Sequence, residues 1–475
     1  MRVESFVVSM RALSLAALGW GVLAFGAVYP WAYWPLAAAC AITGVVGLTA
    51  RCARSAALPK AVSITLLVFG AAVLLQLVPL PLGSLASVSP MTSETLRAYS
   101  PPFAIGLVSH HPLSIEASAT WTAFALFAAL ALLLLGTARA LSVAGARRLV
   151  EGLTVLGVVV ALVGIIQRPL FTGKIYGFWT PQDSGGVGFG PFVNRNHFAG
   201  WMLMGLPLTV GLLCGGIAAG LRGVKPGWRN KLLWFGSPDA SRLILIAAGA
   251  VVMALSLVLT LSRSGMTALV VSLLFSGWFV VRNLRGGWRK TAAVGYLMLL
   301  PVVVAGWAGA DAIMARFSLT ATEFGGRVGA WKDAAAIASA FPVAGTGLNT
   351  YGIATLFYQR HEVIHHYEQA HNDYLQLLAE GGLLLAIPAV LLVAALVRET
   401  WRRAGETEAG STTYWLRAGA ITAIVAIALQ ESIDFSLQMP GNAALFAVVC
   451  GIALHRAPSS RRSTRTPMPA SDPLS

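Results

Sequence analysis

The side chains best suited to chemistry stand in one long polar segment, residues 309–373, of an otherwise apolar chain. The segment contains Arg327 and ends in the run His371-Asn372-Asp373-Tyr374-Leu375. His371 stands where this polar segment meets an apolar run, and its imidazole is able to accept a proton near neutral pH. Standing alone, His371 would be better explained by a role in capping or packing a helix.

Two further arginines stand beside short polar residues. Arg195 lies between Asn194 and Asn196, and Arg263 lies in the run Ser262-Arg263-Ser264-Gly265. A guanidinium is always charged and holds a phosphate through two parallel hydrogen bonds, and backbone N–H groups exposed at Ser and Gly also bind anions. Two such arginines facing each other would hold a diphosphate. The alternative is that each one touches the phosphates of membrane lipids nonspecifically.

The run His361-Glu362-Val363-Ile364-His365 matches the H-E-x-x-H pattern of zinc peptidases, and His371 stands where a third ligand is found in some of them. The glycine that turns the chain toward that ligand is replaced by Glu368. A solvated or acceptor-contacting polar loop is the competing interpretation. The Gly345-x-Gly347 run is explained by a tight turn without any bound phosphate.

The composition is that of an integral membrane protein. Of the 475 residues, 56% are hydrophobic and only 11% are charged, whereas soluble domains carry about 25% charged residues. A membrane-spanning helix needs roughly 20 apolar residues, and twelve segments qualify. The fold predicted is therefore an all-α polytopic bundle with spans near residues 12–28, 33–50, 61–80, 119–138, 149–166, 198–221, 243–261, 265–281, 291–309, 374–397, 413–433 and 441–455.

The positions of Lys and Arg predict the orientation, because these residues favour cytoplasmic loops. With both termini in the cytoplasm, most of the 34 basic residues fall inside, and one large loop, about 310–373, lies outside between spans nine and ten. Residues 1–457 then form a single transmembrane domain, followed by a disordered basic tail over 458–475. The net charge of +15 fits contact with anionic lipids and not nucleic-acid binding. The basic residues left outside are Arg97, Arg168, Lys174, Arg195, Arg263, Arg316, Arg327, Lys332 and Arg360.

The four cysteines, Cys40, Cys52, Cys214 and Cys450, fall in spans or in a cytoplasmic loop under this topology. They indicate neither a disulfide framework nor a cysteine-based metal site. The acidic residues expected outside are scattered along the chain, so no convincing carboxylate pair is predicted: Glu94, Glu116, Asp183, Asp311, Glu323, Asp333, Glu362, Glu368, Asp373 and Asp434. An acidic base assisted by a divalent metal is therefore disfavoured.

A set of short motifs, taken in order, resembles the O-antigen ligase and polymerase family of bacterial inner-membrane enzymes. The resemblance is strongest over residues 190–385. The motifs are Asn194-Arg195-Asn196-x-Phe198-Ala199, Leu261-Ser262-x-Ser264-Gly265, Gly326-Arg327 with Trp331, Pro342 to Gly347 with Tyr351, and His371-Asn372-x-Tyr374-Leu375 with Gly381-Gly382. The number of spans and the large loop after span nine also resemble that family.

The resemblance implies a cofactor-free, metal-independent, inverting glycosyl transfer at the periplasmic face of the inner membrane. The donor would be a glycan linked to a polyprenyl diphosphate. Arg195, Arg263 and Arg327 would bind the diphosphate, and His371 would be the general base. The supporting residues would be Asn194, Asn196, Ser262, Asn372, Asp373 and Tyr374, with Asp373 in a position to orient the imidazole.

Two activities of this family, which differ in the acceptor, are both compatible with the sequence. A ligase transfers finished glycan to lipid A–core, and a polymerase transfers it to the next lipid-linked glycan; the ligase is favoured slightly. The variable segments 81–118 and 343–370 would select the acceptor. A transporter is the alternative from another class, but it predicts internal repeats and mid-membrane charges. Neither is evident in this chain, whose polar groups concentrate at the outer surface.

Overall fold

The protein is helical almost throughout. The structure, a computed structural model, describes residues 3–49, 58–182, 187–220, 227–283, 295, 320–361, 366–408 and 410–457. Within these ranges the only strands are β1 (Leu80–Pro81) and β2 (His110–His111), which pair antiparallel. The all-α class is therefore confirmed. The predicted tail 458–475 lies outside the described residues.

The described part of the chain contains seventeen named α-helices. In chain order they are α1 (Val3–Leu23), α2 (Pro30–Leu48), α3 (Lys60–Gln76), α4 (Leu82–Val88), α5 (Pro90–Tyr99), α6 (Pro101–Ala104), α7 (Ala117–Ala144), α8 (Arg147–Gln167), α9 (Arg195–Gly220), α10 (Trp228–Phe235), α11 (Pro238–Leu259), α12 (Arg263–Asn283), α13 (Thr320–Ala340), α14 (Tyr351–Tyr358), α15 (Asp373–Gly405), α16 (Thr412–Gln430) and α17 (Pro440–Leu454). Short 3-10 turns lie at Phe25–Ala27, Arg168–Leu170 and Ser436–Gln438.

Seven of the described helices are long and apolar enough to cross a membrane. They are Pro30–Leu48, Ala117–Ala144, Arg147–Leu170, Arg195–Gly220, Ala240–Leu259, Asp373–Gly405 and Thr412–Gln430. Ser9–Leu23, Lys60–Gln76 and Pro440–Leu454 are shorter apolar helices, and α12 covers the predicted span 265–281. The predicted span 291–309 lies, apart from residue 295, outside the described residues. The number twelve therefore stays a prediction.

Small residues let the helix backbones approach closely, as is common in membrane bundles. A Cβ atom built on Gly44 of α2 would lie 2.4 Å from the carbonyl carbon of Leu132 in α7, and one on Gly211 of α9 would lie 2.6 Å from the backbone of Trp415 in α16. Helix α9 is the most buried of the candidate spans. It packs against α16, α11 and α8, so its first turn is enclosed by other helices.

The helix starts define two ends of the bundle. We call the end at which α9, α12 and α15 begin the site end. An outer layer lies there, formed by α4–α6 of the first long loop and by α13–α14 of the second. The ring of Tyr99 stacks on Phe357 at 4.0 Å, and the Gln76 amide donates to the carbonyl oxygen of Ala344 over 2.7 Å. The two loops that the sequence presents as separate acceptor segments therefore pack into one layer.

Candidate functional site

His371 immediately precedes α15 and has a constrained backbone. Its φ angle is +52°, in the left-handed region, which histidine enters more readily than most residues other than glycine. The Trp331 indole N–H donates to the His371 carbonyl oxygen over 3.2 Å. The Asn372 side-chain oxygen accepts from the N–H groups of Tyr374 and Leu375, which is the N-cap that starts α15. These contacts hold the base candidate on a rigid helix start.

The imidazole of His371 lies in an apolar setting. It packs edge-on against Phe435, with ring centroids 4.8 Å apart and planes at 77°, and Tyr367 lies on another side at 6.0 Å. Its Nδ1 atom is buried and has no hydrogen-bond partner among the described residues. Burial lowers the pKa of His371 to about 3, and the nearby Arg327 guanidinium lowers it further. The ring is therefore uncharged at neutral pH, with a lone pair able to accept a proton.

Arg327 reaches this site from α13. Its Nη1 atom donates to the carbonyl oxygen of Ile433 over 2.8 Å, and its Nη2 atom lies 3.6 Å from the Oδ2 atom of Asp434. Asp434 is fully buried, whereas the Arg327 side chain is 23% exposed. The structure thus brings Arg327 close enough to His371 to influence it electrostatically, a proximity that the sequence left open, and part of the cation is open to a ligand.

Asp434 connects three motifs that are far apart in the sequence. Its carboxylate accepts a hydrogen bond from the Ser264 hydroxyl over 3.3 Å, and another from the side chain of Asn196. It also accepts from the Phe435 N–H over 3.0 Å. Burial raises the pKa of Asp434, while Arg327 and these donors favour the ionised form. Asp434 therefore joins the starts of α9 and α12 to the arginine of α13.

The segment 431–435, between α16 and α17, contacts the predicted site residues along its whole length. The Asp373 N–H donates to the Glu431 carbonyl oxygen over 3.0 Å. The Asn372 amide donates to the Ser432 carbonyl oxygen over 2.9 Å. Ile433, Asp434 and Phe435 contact Arg327, Ser264 and His371, respectively, as described above. Every residue from 431 to 435 therefore contacts a predicted site residue or its neighbour. Nothing in the sequence marked this segment except a few polar residues between two apolar runs.

Arg195 and Arg263 are each the first residue of a helix, α9 and α12. The Asn194 side chain accepts from the Asn196 N–H over 2.9 Å, and the Ser262 hydroxyl accepts from the Gly265 N–H over 3.2 Å. A Cβ on Gly265 would lie only 2.6 Å from the Cβ of Ala199 in α9. The two helix starts therefore pack together, and their N–H groups and positive dipole ends lie at the same end of the bundle.

Arg195 lines a cleft of about 210 Å³ at this end. The turn between α11 and α12, including Thr260 and Leu261, also lines this cleft, as does a second arginine, Arg168. Leu261 adopts a φ of +53° directly before Ser262. The sequence singled out Arg195 and the turn, but it assigned no role to Arg168.

Asp373 and Tyr374 have other contacts than the sequence suggested. The Asp373 carboxylate accepts from the Gln438 amide over 2.6 Å and is close enough to the Glu431 carboxyl to interact with it electrostatically. The first turn of α15 thus directs Asp373 toward the loop before α17, so it does not orient the His371 ring. The Tyr374 hydroxyl donates to the Ala428 carbonyl oxygen over 2.7 Å. Both residues fasten α15 to α16.

The expectation that the acidic residues are scattered is wrong for this end of the bundle. Asp373, Glu431 and Asp434 come together because α15 and the 431–435 segment pack side by side. Burial and the neighbouring charge of Asp373 raise the pKa of Glu431. Among the described residues no cluster of three or more His, Cys, Asp or Glu side chains is arranged to hold a metal ion.

The H-E-x-x-H run is only partly described, since Glu362–His365 lie outside the described residues. His361 lies in a bend, not a helix. Its Nδ1 atom lies 2.7 Å from the Asp333 carboxylate, which also accepts the N–H groups of Arg360 and His361. His361 therefore anchors the loop end to α13.

The Gly345-x-Gly347 run forms a tight turn, as predicted. Both glycines have positive φ angles, +65° and +110°, and a Cβ on Gly345 would lie 2.2 Å from the Glu380 backbone. The Glu380 carboxylate accepts the N–H groups of Asn349 and Tyr351 at the start of α14. This buried acid of α15 therefore serves to dock the outer layer.

Comparison with known proteins identifies the central part of the chain. Residues 248–390 match the family described as O-Antigen ligase. The matched segment includes Arg263, Arg327 and His371, and it confirms the resemblance drawn from the motifs. Arg195 and Asp434 lie outside it. No curated protein matches the chain.

Proposed function

We propose that this multi-pass membrane protein, whose residues 248–390 carry the O-antigen ligase domain, transfers glycan from a polyprenyl-diphosphate carrier to an acceptor hydroxyl. The reaction takes place at the site end of the bundle, on the periplasmic face of the bacterial inner membrane, and the acceptor is lipid A–core. The observation that carries the proposal is the uncharged His371 imidazole beside the partly exposed Arg327, at the end where Arg195 and Arg263 begin their helices.

The cations act on the leaving group. When the bond between the anomeric carbon and the phosphate oxygen breaks, its electron pair passes to the diphosphate. Arg195 and Arg263 bind that diphosphate and stabilise the growing negative charge, helped by the N–H groups of the two helix starts. A diphosphate leaves readily without protonation, so placement and charge stabilisation supply most of the catalysis. Asp434 keeps the Arg327 guanidinium aligned at the edge of this site.

His371 acts on the acceptor. It takes the proton from the hydroxyl as the oxygen attacks the anomeric carbon from the face opposite the diphosphate, so the configuration inverts. The low pKa of His371 keeps its nitrogen available in the free enzyme, and a bound diphosphate favours the imidazolium form once the proton arrives. The strained backbone and the Phe435 contact hold the ring in one position.

The outer layer is suited to select the acceptor. Helices α4–α6 and α13–α14 cover the site end and are joined by the Tyr99–Phe357 stack. An acceptor glycan must pass this layer to reach His371. A ligase and a polymerase would therefore differ in the residues of this outer layer and share the same base, His371.

The test is a lipopolysaccharide gel from a deletion strain carrying wild-type protein, His371→Ala or no plasmid. The ligase predicts bare core in the deletion, long glycan retained on the polyprenyl carrier, and rescue by wild type alone. Core bearing a single repeat would instead identify a polymerase and overturn the assignment of lipid A–core as the acceptor. An unchanged ladder in the deletion strain would contradict transfer to lipopolysaccharide altogether.

A further inference from the structure

The cleft lined by Arg195 has features that the predicted roles of Arg195, Arg263 and Arg327 do not explain. It lies between the end of α8, the segment 187–190 and the α11–α12 turn, and its volume is about 210 Å³. Two guanidinium side chains, those of Arg168 and Arg195, line it, and none of its lining residues is acidic. Arg168 makes no ion pair with the described residues. The cleft therefore favours an anion.

The position of Arg168 relative to the bilayer indicates which kind of anion the cleft would bind. The candidate span that contains α8 runs from Arg147 to Leu170, so Arg168 stands where this span leaves the hydrocarbon. That is the level of lipid phosphate groups. An arginine at this level holds a phosphate through its fork while its aliphatic stem stays against apolar surface.

The flank of the cleft is apolar and open. Leu170 is 70% exposed, and Ile166 and Val187 are also exposed, while Phe171 and Leu259 line the cleft itself. Ile166 lies in the part of α8 expected within the bilayer. A ligand with a phosphate head and a hydrocarbon chain fits this arrangement, since the head reaches the arginines while the chain stays in lipid.

We propose that Arg168 and Arg195 form the site that captures the polyprenyl-diphosphate donor from the membrane, with the prenyl chain along the Ile166–Leu170 flank. This inference rests on the proposed function and assigns a donor-binding role to Arg168. The α11–α12 turn also lines the cleft, so a diphosphate held there lies beside the helix start that carries Arg263. Arg168 acts in binding and not in the chemical step.

The first test compares Arg168→Gln with Arg168→Lys and with Lys174→Gln in purified, reconstituted protein. Lys174→Gln is the matched control, because it removes one positive charge from the same exposed loop without lining the cleft. Loss of one phosphate contact of about 1.4 kcal/mol corresponds to a tenfold change. We expect the donor KM of Arg168→Gln to rise about tenfold with kcat nearly unchanged, with a smaller rise for Arg168→Lys. A KM equal to that of Lys174→Gln would overturn the assignment.

The second test measures binding directly, using farnesyl diphosphate in detergent, so that it does not depend on transfer activity. We expect wild type and Lys174→Gln to bind it and Arg168→Gln to bind it about tenfold more weakly. Equal displacement by phosphatidylglycerol would identify a general lipid-phosphate site and overturn the donor assignment. If wild type binds farnesyl diphosphate but transfers no glycan, the proposed reaction fails while the capture site stands.

Discussion

The Ser264 hydroxyl donates to the Oδ2 atom of Asp434, 3.3 Å away, although the two residues are 170 positions apart in the chain. Ser264 follows the arginine that begins α12, and Asp434 also faces Arg327 and hydrogen-bonds Asn196. One buried carboxylate therefore connects the starts of α9 and α12, which we propose to bind phosphate, with the arginine beside the proposed base. Proper alignment of these groups is what a transfer with a good leaving group requires.

Asp434→Asn should lower transfer strongly while the protein still accumulates in the membrane. A hydrogen bond to a charged group contributes about 1.5–3 kcal/mol, so its loss corresponds to roughly a 10- to 100-fold decrease in rate if it is realised in the transition state. Initial rates in reconstituted membranes measure the effect. Glu94→Gln, at an exposed position of α5, is the control, and equal rates for the two variants would show that Asp434 does not align the site.

His371→Ala should abolish transfer, because general base catalysis contributes about 10²- to 10⁴-fold. His361→Ala is the comparison variant, since it removes a histidine that anchors the outer layer through Asp333 and should weaken transfer less than His371→Ala does. The readout is glycan on lipid A–core together with the amount of protein in the membrane. Near-normal activity of His371→Ala would remove this residue as the base.

Arg263→Lys should be severely impaired, although the charge is retained, because lysine offers a point charge in place of a planar fork. Arg97→Lys, on the exposed face of α5, should have no effect. Donor KM and kcat, measured separately, show whether ground-state binding or the transition state is weakened. A fully active Arg263→Lys protein would indicate that Arg263 only touches membrane phosphates.

Glu431→Gln should make the protein relatively more stable as the pH rises. The pKa of Glu431 is raised above its ordinary value of 4.5 in the folded protein, so the folded state retains a proton that the unfolded chain releases. Wild-type stability therefore decreases from about pH 4.5 upward until the raised pKa is passed, whereas the glutamine variant lacks this loss. Thermal unfolding of both proteins across this range measures the difference, and parallel curves would contradict the raised pKa of Glu431.

Chelation should leave glycan transfer intact, because the proposed steps use arginines and an imidazole only. Reconstituted enzyme treated with EDTA and then dialysed provides the measurement, with a magnesium-dependent transferase treated in parallel as the control. Inhibition by EDTA that zinc reverses would support the H-E-x-x-H interpretation instead.

Some features of this protein follow from its sequence alone. Hydropathy predicts the helical membrane bundle because a span must be apolar along its own length, and eleven of the twelve predicted spans coincide with described helices. The positions of Arg195, Arg263, Arg327 and His371 beside the starts of helices, or in the long loop, follow from local residue types. The match of residues 248–390 to the O-antigen ligase family agrees with those motifs.

Other features were decided by the tertiary structure. Asp434 looked like one of several scattered acids, and Phe435 carried no signal, yet both contact the centre of the site. Asp373 stands two residues from His371, but the helical turn directs its carboxylate to Gln438 and Glu431. Arg168 shares a cleft with Arg195 only because α8 ends beside the start of α9. Local patterns determine helices, whereas the partners of a buried charge depend on which distant segments pack against it.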